Sequence, residues 1–197
     1  MKKLPLAVGT GVLALALGLT GCSTANAPTT TETSASASTS TKANDDDAMF
    51  VTMMIPHHEQ AIEMSDIVLA KSGLDPDVAN LAQQIKAAQG PEVSRMKGWL
   101  TAWGVTETAP GMGGMDHGSM GDGMMSDGDM AALNAANGKD ASRLFLTQMI
   151  AHHQGAVDMA QQEVRGGQNP DAVALAKSVI AAQTAEIAAM QKLLGRL

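Results

Sequence analysis

The chain contains an internal repeat with an offset of about 95 residues, and this repeat limits the possible folds more than any other feature. The first copy reads Phe-Val-Thr-Met-Met-Ile-Pro-His-His-Glu-Gln-Ala-Ile-Glu-Met from Phe50 to Met64. The second copy reads Phe-Leu-Thr-Gln-Met-Ile-Ala-His-His-Gln-Gly-Ala-Val-Asp-Met from Phe145 to Met159. These two copies contain four of the five histidines. The sequence therefore predicts a fold built from two equivalent halves.

Each half reads as two helices joined by a short turn. Within the first copy, apolar residues and His57 recur in steps of three and four, which is the period of an α-helix. The second helix of each half begins with a specific signal, because Asp75 and Asn169 are each followed by proline and can cap the helix. The expected helices lie near residues 48–72, 76–103, 140–165 and 170–194. Pro56 falls inside the first of them, where we expect a kink.

Two amphipathic hairpins of this size cannot each bury an apolar face alone, but they can cover each other. The sequence therefore predicts an all-α fold, an antiparallel four-helix bundle that occupies residues 45–197. The pattern does not decide the order in which the helices pair. Either hairpin could also form half of a domain-swapped dimer, so the oligomeric state is open.

The first 44 residues are not expected to belong to this bundle. Lys2 and Lys3 precede an apolar run, and Leu-Thr-Gly-Cys ends it, so residues 1–21 are typical of a secretory signal peptide. The ending resembles a bacterial lipobox, which predicts lipidation of Cys22 and attachment to a membrane. A plain secretory signal is the alternative. Residues 22–44 consist mostly of Ser, Thr and Ala and are predicted to be a disordered tether outside the cytoplasm, at the cell surface or in the periplasm.

Charge and cysteine content exclude several classes of function. The formal net charge is −7 before the two signal-peptide lysines are removed, and no basic run follows them. An acidic surface argues against nucleic acid and anionic lipid as partners and suits a protein that meets cations. Cys22 is the only cysteine, so the folded domain has no disulfide and no thiolate ligand. A metal site here must use His, Met and carboxylate groups.

His57 and His152 are the leading candidate ligands, because each lies in the middle of an apolar helical stripe. A buried imidazole needs a partner for each nitrogen, and core packing does not supply one. His58 and His153 lie on the shoulder of the stripe, where a surface or supporting role is equally compatible. Several methionines share the same stripes or matching positions on the partner helices, although singly each could be ordinary core. These are Met53, Met54, Met64, Met96, Met149, Met159 and Met190.

The ligand types indicate which metal is expected. Thioether and imidazole groups without thiolate favour Cu(I) and tolerate Cu(II), and Ag(I) has similar preferences. Hard cations such as Mg²⁺ and Ca²⁺ prefer oxygen ligands, and zinc gains little from methionine. Copper, with Cu(I) preferred, is therefore the predicted ligand.

A Gly-, Met- and His-rich segment separates the two halves at residues 107–131. It includes the motif Met-Asp-His-Gly-Ser-Met, which contributes Met115, His117 and Met120 as further candidate ligands. A segment this polar and glycine-rich is predicted to be a loop outside the core, so packing does not account for its methionines. We expect it to capture metal weakly. A linker that merely tolerates methionine is the alternative.

The doubled His-His-x-x-Ala-x-x-Met motif, with Met-Ile before it and a Gln-x-x-Glu-x-x-x-Met helix after it, resembles domain-of-unknown-function family 305. The resemblance covers about residues 46–197. It implies a ferritin-like four-helix fold and a place among secreted bacterial proteins that bind copper and support copper resistance. It also implies that the following residues occupy the motif positions of the family: Met54, His57, His58, Met64, Met149, His152, His153 and Met159.

Three functions are compatible with these patterns. The leading hypothesis is a non-enzymatic lipoprotein that sequesters copper or delivers it to a partner such as a copper transporter or oxidase. The second is a copper- or iron-dependent oxidase on a ferritin-like bundle, although the chain lacks the Glu-x-x-His motif of di-iron bundles. The third is an adaptor lipoprotein that docks a partner through a methionine-rich surface, which leaves the doubled histidine pairs unexplained.

Overall fold

The computed structural model describes residues 42–106 and 123–197. Within these ranges the chain forms helices and connecting turns without any β-strand, which confirms the predicted all-α fold. The signal peptide, Cys22 and all but the last three residues of the tether lie outside the described residues, as do Met115, His117 and Met120. The helices are α1 Asp45–Leu69, α2 Pro76–Trp103, α3 Asp127–Ala135, α4 Gly138–Gly166 and α5 Pro170–Leu194.

Local signals explain where the long helices begin. Asp75 and Asn169 cap α2 and α5 by accepting backbone N–H bonds in the first turn, with proline at the first helical position, as predicted. The first helix begins earlier than residue 48, because Asn44 and Asp47 form a capping box. Asn44 therefore belongs to the folded part of the chain, although the sequence analysis placed it in the tether. α1 is assigned as one helix that includes Pro56.

The long helices pair as two hairpins, α1 with α2 and α4 with α5, and the two halves meet where α1 packs on α4. The start of α1 lies beside the end of α4 around a small pocket, and His57 and His152 bring the middles of the two helices together. The two helices therefore run antiparallel. Two apolar clusters fill the interior. One contains Phe50 and Leu175 and the other Phe145 and Leu81. The predicted four-helix bundle is confirmed.

The short helix α3 begins inside the segment that the sequence analysis assigned to a loop. Ser126 and Asp129 form its capping box, and Leu133 is completely buried in the second apolar cluster. Gln148 of α4 donates a hydrogen bond from Nε2 to the carbonyl of Asp129. One buried leucine in nine residues makes no helical stripe, which is why periodicity missed this helix.

α5 is long and apolar enough to cross a membrane by length and composition, with a mean hydropathy of 1.3 in its most apolar window. It is the one such helix in the part of the chain that the structure describes. Leu175, Val179 and Met190 of this helix are buried inside the bundle. Only 28% of the apolar window is buried, so packing within the domain accounts for these three side chains and not for the composition of the whole helix.

A buried pair of acids ties the start of α1 to the turn between α4 and α5. Asp47 accepts backbone hydrogen bonds from Asn44, Gln168 and Asn169. Burial alone would raise the pKa of Asp47, but the backbone hydrogen bonds outweigh it and hold the pKa below its ordinary value. Burial, and then the hydrogen bond and charge of Asp47, raise the pKa of Glu163 to about 8. Glu163 is therefore expected to be protonated at neutral pH.

Glu163 should make the stability of the bundle depend on pH. Its pKa is raised from 4.5 to about 8 on folding, so the folded state holds a proton that the unfolded state lacks between these values. This contribution is complete below pH 4.5 and is lost as the pH rises through about 8. Glu163→Gln should remove the dependence, because an amide donates to Asp47 at any pH.

The measurement is urea unfolding at about pH 7.5 and about pH 9, where free histidine, with a pKa of about 6.5, is almost entirely neutral. The wild-type unfolding free energy should fall between these values, and Glu163→Gln should show little change. Asp158→Asn, at an exposed position of the same helix, is the matched control and should behave as wild type. An equal change of the unfolding free energy between the two pH values in all three proteins would contradict the role of Glu163.

Candidate metal centre

The imidazole rings of His57 and His152 meet where α1 packs on α4. Their centroids are 3.7 Å apart, with an angle of 37° between the ring planes. Both residues are almost completely buried. Each ring lies on the apolar stripe of its helix, as the spacing predicted, and the antiparallel packing brings the two stripes together. The two copies of the motif therefore converge on one place in the interior.

His58 and His153 are also completely buried, each beside a carboxylate of the partner helix in its own hairpin. Nε2 of His58 lies 2.9 Å from Oε2 of Glu92, and Nε2 of His153 lies 2.6 Å from Oε2 of Glu186. A surface position for these two histidines, one of the alternatives from the sequence, is therefore wrong. A carboxylate that accepts from Nε2–H orients the ring and leaves Nδ1 as the nitrogen with a lone pair.

The sequence shows Glu92 and Glu186 at equivalent positions but does not reveal this role. Both glutamates are partly exposed. Their helical spacing from Met96 and Met190 fits an inward face, yet nothing in the spacing indicates which histidine they would reach. That contact depends on how α2 packs on α1 and how α5 packs on α4.

The environment of His152 opposes protonation. Burial, followed by the charges that protonated His57, His153 and His58 would carry, lowers its pKa well below 6.5, and the backbone of His57 has a smaller opposite effect. Neither ring nitrogen of His152 meets a hydrogen-bond partner at good geometry, and Nδ1 of His58 and of His153 is likewise buried without one. A neutral buried imidazole with a nitrogen lone pair to offer is the form that ligates a metal.

Because its folded pKa is lowered, His152 should remain neutral in acid where a free histidine is protonated. The unfolded chain takes up the proton first, so this residue lowers stability as the pH falls below 6.5. The measurement is an NMR titration of the His152 ring, assigned by comparison with His152→Gln. The ring signal should stay unchanged through pH 6.5, and a midpoint at or above that value would contradict the assigned environment.

The buried methionines form two groups, one in each apolar cluster. One group has two methionines from the first hairpin and one from the second, and the other group has the reverse. Replacing each methionine by its counterpart in the repeat therefore converts one group into the other. All six are at most 8% exposed. The first group is Met54, Met96 and Met159, and the second is Met64, Met149 and Met190. Along α1 and α4 the histidine pairs lie between these groups. Met53 is only partly buried and packs against the first cluster.

The end of the methionine-rich segment is held beside the histidines. Gln60, one turn after His57, exchanges two hydrogen bonds with the backbone of Met125, at 2.9 Å and 2.7 Å. Gly123 has a φ of +77°, and a Cβ at this position would lie 2.6 Å from the carbonyl oxygen of Ala151. Only glycine fits this approach to α4. The sequence places this segment between the halves, but only the structure brings its end to the centre.

The donor atoms restrict which metal this region could hold. In residues 42–106 and 123–197, no three His, Cys, Asp or Glu side chains come together as a metal site. Di-iron bundles require several carboxylates and histidines around one point, so the described residues do not support that alternative. Imidazole nitrogens with thioethers on either side are soft donors, and this set fits copper or silver.

A model of one protein family matches most of the chain. It is described as domain of unknown function DUF305, and it matches residues 47–194. No match was found among curated proteins. The matched region contains both histidine pairs, both groups of methionines and the two glutamates that contact His58 and His153.

Solved structures share this fold. A DUF305 fragment from Deinococcus radiodurans is 32% identical, covers 79% of this chain and 99% of its own, and has a TM-score of 0.71. A DUF305 protein from Streptomyces coelicolor, whose name proposes that it is secreted, is 34% identical, with coverages of 77% and 91% and a TM-score of 0.69. CopM in its Cu(I)-bound form is 31% identical, with coverages of 76% and 96% and a TM-score of 0.63. CopM has also been solved with Cu(II) and with silver.

Proposed function

The chain belongs to the DUF305 family, and from this premise we propose that it is a non-enzymatic protein outside the cytoplasm that binds copper, with Cu(I) preferred. One observation carries the proposal: the buried rings of His57 and His152 lie 3.7 Å apart between two groups of buried methionines, and the buried His58 and His153 follow them directly in the chain. The similarity to CopM, which is known with Cu(I), Cu(II) and silver, supports the same conclusion. The role is sequestration or delivery of the ion.

In this proposal His57 and His152 are the central ligands, and thioethers from the two methionine groups complete the coordination. His58 and His153 offer Nδ1, with their rings oriented by Glu92 and Glu186. Imidazole and thioether ligands are neutral, so the buried charge is that of the ion itself. A monovalent ion costs less to desolvate than a divalent one, which favours Cu(I) and Ag(I) over Cu(II).

Two further parts of the proposal concern segments outside the described residues. Lipidation of Cys22 would hold the bundle at a membrane, on a tether that leaves it free to reach a copper transporter or oxidase. Met115, His117 and Met120 would capture copper weakly in the loop. The contacts of Gly123 with α4 and of Met125 with Gln60 support this arrangement, since they place the end of that loop beside the histidines.

Removing the two central imidazoles should abolish the tightest Cu(I) site. The test is His57→Ala combined with His152→Ala, measured anaerobically in competition with a chromophoric Cu(I) chelator. The wild-type protein should retain Cu(I), and the double variant should lose it while circular dichroism shows an intact helical fold. His117→Ala removes a histidine outside the repeat and is the matched control, which should keep the tight site.

If the folded double variant binds Cu(I) as tightly as the wild type, the histidine centre is not the binding site. If the wild-type protein itself fails to compete with the chelator, the proposed function is wrong. In that case the buried histidines serve packing, and the adaptor hypothesis becomes the better account.

The carboxylates of Glu92 and Glu186, which contact the buried His58 and His153, should influence the affinity for Cu(I) without binding the ion themselves. Glu92→Gln or Glu186→Gln weakens the acceptor that orients the ring, so Cu(I) affinity should fall about 10- to 100-fold. Equilibrium competition with the same chelator measures this change. Glu63→Gln, at an exposed position of α1, is the matched control and should leave the affinity unchanged. Equal affinity in all these variants would show that the glutamates only stabilise the fold.

A further inference from the structure

A small open pocket lies at the end of the bundle where α1 begins and α4 ends. Its volume is about 40 Å³, which exceeds the roughly 10–15 Å³ that one water molecule requires. Seven residues line it, and three of them are methionines, although the protein has only 15 methionines in 197 residues. The lining consists of Asp46, Met49, Phe50, Met53, Met159, Gln162 and Glu163.

The methionines of this pocket have unusual surroundings for core residues. Met49 is 49% exposed and is one of two large apolar side chains exposed in the part of the chain described. Met53 is partly buried, and Met159 forms the inner wall. A side chain that serves only packing is not expected to leave half of its surface in water beside two other thioethers. Packing therefore explains Met159 but not Met49.

Carboxyl groups accompany the thioethers. Asp46 is exposed at the rim and supplies negative charge. Glu163 is 1% exposed, and neither of its oxygens meets an N–H or hydroxyl donor. Two carboxyl groups, those of Glu163 and Asp47, can share a hydrogen bond only when one holds a proton. The pocket thus combines soft sulfur donors, an anionic rim and a buried polar group, and this combination suits a soft monovalent cation.

The pocket and the histidine rings lie along the same contact between α1 and α4. On α1, Met49, Met53 and His57 are spaced four residues apart and so lie on nearly the same side of the helix. On α4, Met159 lies two turns beyond His152. Eight residues of helix separate Met49 from His57, a rise of about 12 Å along the axis. Met159 also belongs to the apolar cluster that contains Met54 and Met96.

The described residues at the opposite end of the bundle do not repeat this lining. At the repeat offset of 95, the counterparts of Met49 and Met53 are Leu144 and Gln148, and that of Asp46 is Ala141. Ala141 and Gln148 are buried, and Leu133 of α3 is buried in the cluster at that end. The repeat therefore preserves the histidines but not the thioether and carboxylate groups that line this pocket.

We infer that Met49, Met53 and Met159, with Asp46 at the rim, form an outer site for Cu(I) or Ag(I), and that ions enter the bundle through it. This inference rests on the proposed function of the histidine centre. Transfer inward is an exchange of neutral ligands around an ion of constant charge, so it needs no electron or proton donor.

The test uses Ag(I), which does not change oxidation state, and protein labelled at the methionine methyl groups for NMR. Titration should shift the Met49 and Met53 signals together with that of Met159. In the variant Met49→Leu with Met53→Leu, the transfer of Cu(I) from a chelator complex should slow by about tenfold or more while the equilibrium affinity of the histidine centre is retained. Met130→Leu, on α3 at the opposite end, is the matched control and should transfer at the wild-type rate.

The outcomes separate the two proposals. Unshifted Met49 and Met53 signals, or an unchanged transfer rate in the folded double variant, would overturn the outer site while His57 and His152 still account for tight binding. Loss of equilibrium affinity in the double variant would also overturn it, since these methionines would then be part of the centre itself. A wild-type protein that binds neither Ag(I) nor Cu(I) would instead overturn the proposed function.

Discussion

The contact between the imidazole rings of His57 and His152 is the constraint on which the rest of the structure depends. The two rings lie 3.7 Å apart in the interior, and burial together with the neighbouring His57 holds the pKa of His152 well below its ordinary value. The contact also holds the middles of α1 and α4 together. That register brings Asp46 beside Glu163 at one end of the two helices and leaves the other end to be covered by α3.

The buried imidazoles have a cost that the remaining packing must offset. A buried nitrogen without a hydrogen-bond partner costs about 1–3 kcal/mol, and Nδ1 of His58 and Nδ1 of His153 are buried without one. Each large apolar side chain buried around them contributes about 1.5–3 kcal/mol in the opposite direction. A bound ion that accepts the lone pairs of these nitrogens would remove part of their cost.

The two halves are equivalent at the centre and different at the ends. The histidine pairs, the glutamates that contact His58 and His153, and the two methionine groups all follow the repeat. Outside this centre the two halves differ. Asp47 and Glu163 connect α1 and α4 at one end of the bundle, and α3 covers the other end. The interior therefore repeats the same side chains from both hairpins, whereas the two ends of the bundle differ.

The sequence by itself determined the four long helices and the two histidines that face inward between them, but not the short helix α3. Helical period and capping are local properties, so the starts of α2 and α5 and the inward position of His57 and His152 could be predicted from spacing alone. The proximity of the two rings, the burial of His58 and His153, their contacts with Glu92 and Glu186, and the exposure of Met49 could not. The spacing of apolar residues shows which side of a helix faces the interior. It does not show which other helix packs against that side. Only the packing of α1 against α2 and α4 decided those contacts, because they join residues that are distant in the chain.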